Sequence, residues 1–191
     1  MLDLRIQQHF IDSADLQYQL AESLAKPVDA AVQAVLAGVT GGGKLFALGQ
    51  GAGALQAQYL VHLLVGGFER ERPGLPALAL PLGGMDSAGS DSLSRQIQAL
   101  GHTGDVLLIV ADAEPDAGTR AALEAAHERE MSVIALTGAS TPEWSRRLRE
   151  TDVHVAVAHE RLARVREVHH LVLHCLCDAI DTQLLGEQES S

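Results

Sequence analysis

The sequence predicts a doubly wound α/β domain, with a five-stranded parallel sheet, helices on both faces and a helical extension at the N-terminus. Three observations predict it. From residue 44 onward, short aliphatic runs alternate with longer amphipathic ones, the pattern of strands joined by right-handed helical crossovers. The strand-like runs are nearly continuous in apolar residues, as strands buried on both faces are. Hydrophobic residues make up 47% of the 191-residue chain and aromatics only 3%, a composition suited to helices packed on a buried sheet.

Taken in order, residues 4–41 carry apolar positions at helical spacing, interrupted by Pro27 and closed by Gly41-Gly42-Gly43. Two helices are expected there, because a proline removes a helical hydrogen bond and clashes with the preceding turn. KLFAL (44–48) reads as the first strand, before a helix over about 54–66. PALAL (76–80) precedes a Ser/Gly-rich passage and a helix near 91–100. DVLLIV (105–110) precedes a helix near 117–129, and SVIAL (132–136) a short one near 142–149. VHVAV (153–157) precedes a long closing helix, roughly 162–185. The chain is thus read as one domain over 1–191, with N-terminal helices over 1–43, an α/β core over 44–160 and a closing helix over 161–185.

The formal net charge of −11 argues against direct contact with nucleic acid or an anionic membrane, both of which call for clustered Lys and Arg. No segment reaches the roughly 18 apolar residues of a membrane span, and MLDLRIQQHF is not a signal peptide by pattern. Cys175 and Cys177, two apart on a helix, diverge too far for a disulfide. A reduced, cytoplasmic protein is expected.

In doubly wound sheets ligands lie beyond the carboxyl ends of the strands, which directs attention to 49–53, 81–90, 111–116 and 137–142. The first of these loops fits Gly-x-Gly-x-x-Ala through Gly49, Gly51 and Ala54. A dinucleotide site would also need an acid at the end of the second strand, where Leu80-Pro81-Leu82 stand instead. The other reading is a turn that lets helix and strand pack closely. The loop VADAEPDAGT carries Asp112, Glu114 and Asp116, and three carboxylates would repel a phosphate. Asp116 is placed to cap the next helix. Alternating carboxylates could hold a hard cation, but no ring of further oxygen ligands accompanies them. On the closing helix His169 is followed by His170 and His174; the last two share a face at the spacing of a two-histidine metal site. A buried or interfacial helix with hydrogen-bonded histidines is the preferred reading, and no metal or other cofactor is expected.

KLFALGQG, FERERPGLPALAL, QALGHTGDVLL, ALTG and RVREVHHLVLHCLCDAID, in this order and spacing, resemble the sugar isomerase (SIS) domain family over nearly the whole chain. The nearest branches are the phosphoheptose isomerases and the DnaA initiator-associating proteins (DiaA). FERERPGLPA, ALGHTGDVLL and CLCDAIDTQLL favour the second. The resemblance implies a first phosphate loop Gly-Asn-Gly-Gly-Ser, matched here by Gly49-Gln50-Gly51-Ala52-Gly53 without the serine. It implies a second loop Ser-Thr-Ser-Gly-Asn-Ser, matched by Ala111, Asp112, Ala113, Glu114, Pro115 and Asp116. It further implies a histidine and a glutamate that bind zinc or move the proton, at the positions of Tyr59 and Leu63. On the last helix a family glutamine corresponds to Arg166, while the family histidine persists as His174. LPLGGMDSAGSDSLSRQ is shorter than its family counterpart.

Aldose–ketose isomerisation needs a base, an acid and an anchored phosphate. With Leu63 and the acidic loop in their places, the sequence reading favours a non-catalytic regulator that binds the initiator DnaA. Gln50, Gly51, Ala52, Gly53, Asp112 and Glu114 would then line a degenerate pocket. Two rivals stand beside it: a phosphoheptose isomerase with a rearranged site, using His62, His170 and His174 for metal, and a sensor of a sugar derivative. The apolar face offered by the N-terminal and closing helices predicts a homotetramer, with a dimer as the fallback. Leu184 and Leu185, before the stop at Gly186, are the candidate partner-binding knob, ringed by Asp181, Glu187 and Glu189; the alternative is that both pack on the N-terminal helices.

Overall fold

The computed structural model describes residues 1–80, 91–138 and 142–187. The 81–90 passage, residues 139–141 of the loop at 137–142, and Glu189 lie outside them.

Five strands form one parallel sheet in the order β2-β1-β3-β4-β5, from β1 (Leu45–Gly49), β2 (Ala77–Ala79), β3 (Val106–Ala111), β4 (Ser132–Gly138) and β5 (Val153–Val157). Six helices complete the described chain: α1 (Leu2–Thr40), α2 (Gly53–Gly66), α3 (Asp91–Leu100), α4 (Ala117–Glu128), α5 (Pro142–Arg147) and α6 (Leu162–Leu185). The expected strands and crossovers are therefore present, and boundaries move by one or two residues. β2 is short, but its ladder reaches further, because Leu45 donates to the Pro76 carbonyl and Leu80 to the Ala47 carbonyl.

Side chains alternate along each strand, and the two sets enter separate cores. Leu45, Ala47, Val106, Leu108, Val110, Ile134, Leu136, Val155 and Val157 face α1, α2 and α6. Phe46, Leu48, Leu107, Ile109, Ala111, Val133 and Ala135 face α3, α4 and the fully buried Trp144 of α5.

The N-terminal segment departs from expectation. It is a single helix with Pro27 inside it, not two. Leu16, Leu24, Ala31, Val32 and Val35 are buried on both sides of the proline, so the packed stripe continues in phase through it. An interior proline costs about 3 kcal/mol; burial of that many aliphatic side chains, at about 1.5–3 kcal/mol each, outweighs it. The first eleven residues have no such cover: Leu2, Leu4, Ile6, Phe10 and Ile11 are all exposed.

Candidate functional site

The strand order reverses between β1 and β3. The loop after β1 leads to α2 on one face of the sheet and the loop after β3 to α4 on the other, which opens a crevice at their carboxyl ends.

Gln50 closes that crevice from inside. Its amide nitrogen donates to the Glu114 carbonyl at 2.8 Å, and its side-chain oxygen accepts from the Asp116 backbone N–H at 3.1 Å. The glycines beside it are there for packing. A Cβ on Gly49 would stand 2.2 Å from the Ala54 nitrogen, and one on Gly53 would stand 2.2 Å from the Val110 carbonyl oxygen. Gly51 has φ +57 with open space around it, a backbone conformation that favours glycine. A serine at position 53 has no room, so the missing hydroxyl and the close helix–strand approach are one feature. Ala52 is exposed at the rim.

The 111–116 loop is held by side chains from three directions. Trp144 Nε1 donates to the Ala113 carbonyl at 3.1 Å and Arg120 to the Pro115 carbonyl at 2.6 Å, alongside the Gln50 contact. Its charge is less repulsive than the sequence implied. Asp112 is paired with Arg166 of α6 at 2.5 Å, and the Asp116 carboxylate accepts from the Thr119 N–H at 2.8 Å as the cap of α4. Only Glu114 keeps a carboxylate with no such partner among these three. Beside it, Glu114, Glu143, Arg146 and Arg147 line an open cleft of about 520 Å³.

α2 and α6 run alongside one another below the crevice. Gln56 donates to the Arg166 carbonyl at 2.8 Å. Further along, Tyr59 Oη lies 2.9 Å from His174 Nε2. The His170 ring stacks on Tyr59 with centroids 4.6 Å apart, and Phe68 lies 5.3 Å from His174. Burial and the neighbouring His174 push the His170 pKa down. His170 and His174 do come together, at 4.8 Å between ring centroids, but His62 is exposed and is not part of the cluster.

The positions at which the resemblance implies zinc ligands and proton-transfer groups are Tyr59, Leu63, Arg166 and His174. Leu63 is buried in the core and the Arg166 cation is bound to Asp112. What remains is a phenol and an imidazole bonded to each other. Zinc takes thiolate, imidazole or carboxylate donors, usually three or four of them, and this donor set does not fit it. Among the described residues no group of three or more His, Cys, Asp or Glu side chains is placed to hold a metal ion.

The sequence reading named His169 and Asp181 without their buried surroundings and passed over Arg72. His169 is fully buried on α6, and neither ring nitrogen has a hydrogen-bond partner. Burial lowers its pKa to about 4, offset in part by the Thr137 carbonyl and the Asp112 charge. Asp181 is also buried and pairs with Arg72 at 2.5 Å, and Arg72 donates in addition to the Leu64 and Leu63 carbonyls at the end of α2. Asp181 therefore cannot ring an exposed knob; it sits in phase with Cys177 and Leu173 on the buried face of α6, a signal that it needed a cationic partner. Leu184 and Leu185 are 38% and 42% exposed and are not core residues of this chain. Gly186, at φ +81, ends the helix as expected.

A family model described as SIS domain matches residues 8–138, more than half of the chain. The protein belongs to the SIS-domain family. The phosphoheptose isomerase of Methylibium petroleiphilum is 53% identical, over 99% of this chain and 98% of its own. That of Aromatoleum aromaticum is 42% identical over 97% of each. The solved phosphoheptose isomerase of Neisseria gonorrhoeae superposes with a TM-score of 0.86 at 34% identity, covering 95% of this chain and all of its own.

These likenesses overturn the expectation of a non-catalytic, DnaA-binding regulator. Full-length similarity lies with proteins named as isomerases, and the charge argument against them weakens because the Arg166 cation neutralises Asp112.

No helix among the described residues is long and apolar enough to cross a membrane.

Proposed function

We propose that the protein is an aldose–ketose isomerase of the phosphoheptose class, acting on sedoheptulose 7-phosphate. The observation that carries this reading is the 53% identity, across 99% of the chain, to a phosphoheptose isomerase. Two features of the site support it. The cleft beside Glu114 holds Arg146, together with Arg147 paired to Glu143 at 2.6 Å, and a guanidinium there is a group that can anchor a phosphate. The Tyr59–His174 pair offers a hydroxyl and an imidazole to a reacting carbonyl. The deciding measurement is conversion of sedoheptulose 7-phosphate to its aldose isomer by the purified full-length chain. A kcat on the order of 1 per second or higher is expected; no turnover above the uncatalysed rate overturns the reading.

A second reading is favoured by Leu63, which puts an aliphatic side chain where the resemblance implies a carboxylate: recognition of a sugar derivative without turnover. Saturable binding of the heptose phosphate, with no conversion, would select it.

The proposal includes a homotetramer, no resident metal and a cytoplasmic setting. Free thiols at Cys175 and Cys177 suit a reducing compartment. Assembly is supported by the bare start of α1 and by an apolar groove of about 270 Å³ between α1 and α6, lined by Leu20, Leu24, Val28, Leu171 and Val172. A monomeric mass by light scattering at micromolar concentration would remove this part of the proposal.

A further inference from the structure

Resting on the isomerase reading, we infer that Tyr59 and His174 are the acid–base couple of the reaction, and that they work without a bound metal ion. The geometry sets the two groups as a ready proton pair. Tyr59 comes from α2 and His174 from α6, and Oη lies 2.9 Å from Nε2. Both side chains are partly accessible. His170 stacked on the Tyr59 ring and Phe68 against the His174 ring fix their orientations. The other two positions of the implied machinery offer nothing that takes a proton at neutral pH: Leu63 is aliphatic, and the Arg166 guanidinium stays charged and salt-bridged.

In the proposed resting pair the Tyr59 hydroxyl donates and the Nε2 lone pair accepts across the 2.9 Å contact. A substrate carbonyl oxygen that replaces Nε2 as the acceptor of the Tyr59 hydroxyl frees that lone pair to face the neighbouring C1–H. Nε2 then takes the C1 proton; the C–H electron pair becomes the C1=C2 bond of an enediol, and the carbonyl π pair takes the proton of Tyr59. In the second half the imidazolium returns its proton to C2, using the C1=C2 pair. The tyrosinate takes the proton from the C1 hydroxyl, whose electron pair closes the aldehyde. Both side chains end as they began, and no oxidant, reductant or co-reactant is consumed.

The test compares the wild-type chain with Tyr59→Phe and His174→Gln. Each is assayed with sedoheptulose 7-phosphate in D2O, with bound metal measured by mass spectrometry and each assay repeated with EDTA. Tyr59→Phe keeps the ring that stacks on His170 and is expected to lower kcat by about 10²–10⁴-fold, with KM changed only a few-fold. His174→Gln is expected to abolish turnover, and with it the deuterium that an imidazolium exchanged with solvent before the second half delivers to C2 of the product. Wild-type turnover should be unaffected by EDTA, in protein holding far less than one metal per chain. If the wild type turns over but Tyr59→Phe keeps its rate, or the rate follows bound zinc, the couple is overturned while the isomerase reading stands. If the wild type does not turn over, the isomerase reading itself has failed and the couple falls with it. Should His174→Gln fail to fold, judged by its melting temperature, Tyr59→Phe alone decides.

Discussion

The two faces of the sheet are built to different rules. On the face covered by α3, α4 and α5, the core is a run of Leu, Ile, Val and Ala closed by Phe46, Met131 and Trp144, and the fully buried polar side chains there are the neutral hydroxyls of Thr119 and Thr137, the latter bonded to His154 at 2.8 Å. The face covered by α1, α2 and α6 is equally packed but has polar groups sunk into it: the Arg72–Asp181 pair, His169, and Arg164 bonded to the His9 carbonyl at 2.8 Å. All of these involve α6. An apolar face tolerates change as long as volume is kept, whereas each buried polar group must keep its partner. The first face is a foundation, and the second is the side on which this chain has rearranged its chemistry.

The sharpest way to break the contrast is Arg72→Met. It leaves the Asp181 carboxylate buried without a cation and strips donors from the Leu63 and Leu64 carbonyls. A loss of about 3–5 kcal/mol is expected by denaturant unfolding. A volume-matched change on the opposite face, Ile109→Leu, should cost less than about 1.5 kcal/mol. Equal losses would mean that the two faces do not differ as described.

His169 gives the next largest effect, through pH. Its folded pKa of about 4 lies below the 6.5 of an ordinary imidazole, so the unfolded chain binds the proton more readily. Its contribution to stability is therefore complete above about pH 6.5 and is lost as pH falls towards 4, reaching roughly 3 kcal/mol. His169→Gln should flatten that acid slope in unfolding curves taken between pH 7 and pH 4. An unchanged slope would assign it to other groups, of which His154, also lowered by burial, is the first to examine.

A smaller effect sharpens the comparison at the crevice. Gly53→Ser restores the hydroxyl of the resembled phosphate loop but drives a Cβ into the Val110 carbonyl. About 1–3 kcal/mol of destabilisation is expected, with no gain in affinity for a heptose phosphate. Tighter binding would show that α2 can retreat from β3.

The fold was legible because short continuous aliphatic runs and their spacing are properties of the chain itself: every strand, and every helix after residue 43, falls close to its expected place among the described residues. Pro27 misled because local propensity was weighed without the stripe that continues across it, from Leu24 to Ala31 and Val35. At the site, residue identity was visible and pairing was not. Asp112 read as an uncompensated charge until Arg166, 54 positions along the chain, closed on it. The capping role of Asp116 was readable because its partner, Thr119, is three residues away. Gln50 read as part of a pocket lining, yet it ties its own loop to the 111–116 loop through partners 64 and 66 residues away. Sequence discloses contacts between near neighbours, and charge balance across the fold emerges only with the fold.

The start of α1 carries a kinetic consequence. Contacts with α6 begin only at His9, Asp12 and Ser13, so the two turns before them have no tertiary support within the chain. An isolated helical stretch of that length is marginal in water, and its amide hydrogens should exchange with solvent almost as fast as those of an unstructured peptide. Any copy that seats on Leu2, Leu4 and Ile6 would slow that exchange in proportion to its occupancy. The first eight amides thus form a built-in concentration gauge, reporting how crowded the chain is with its own kind.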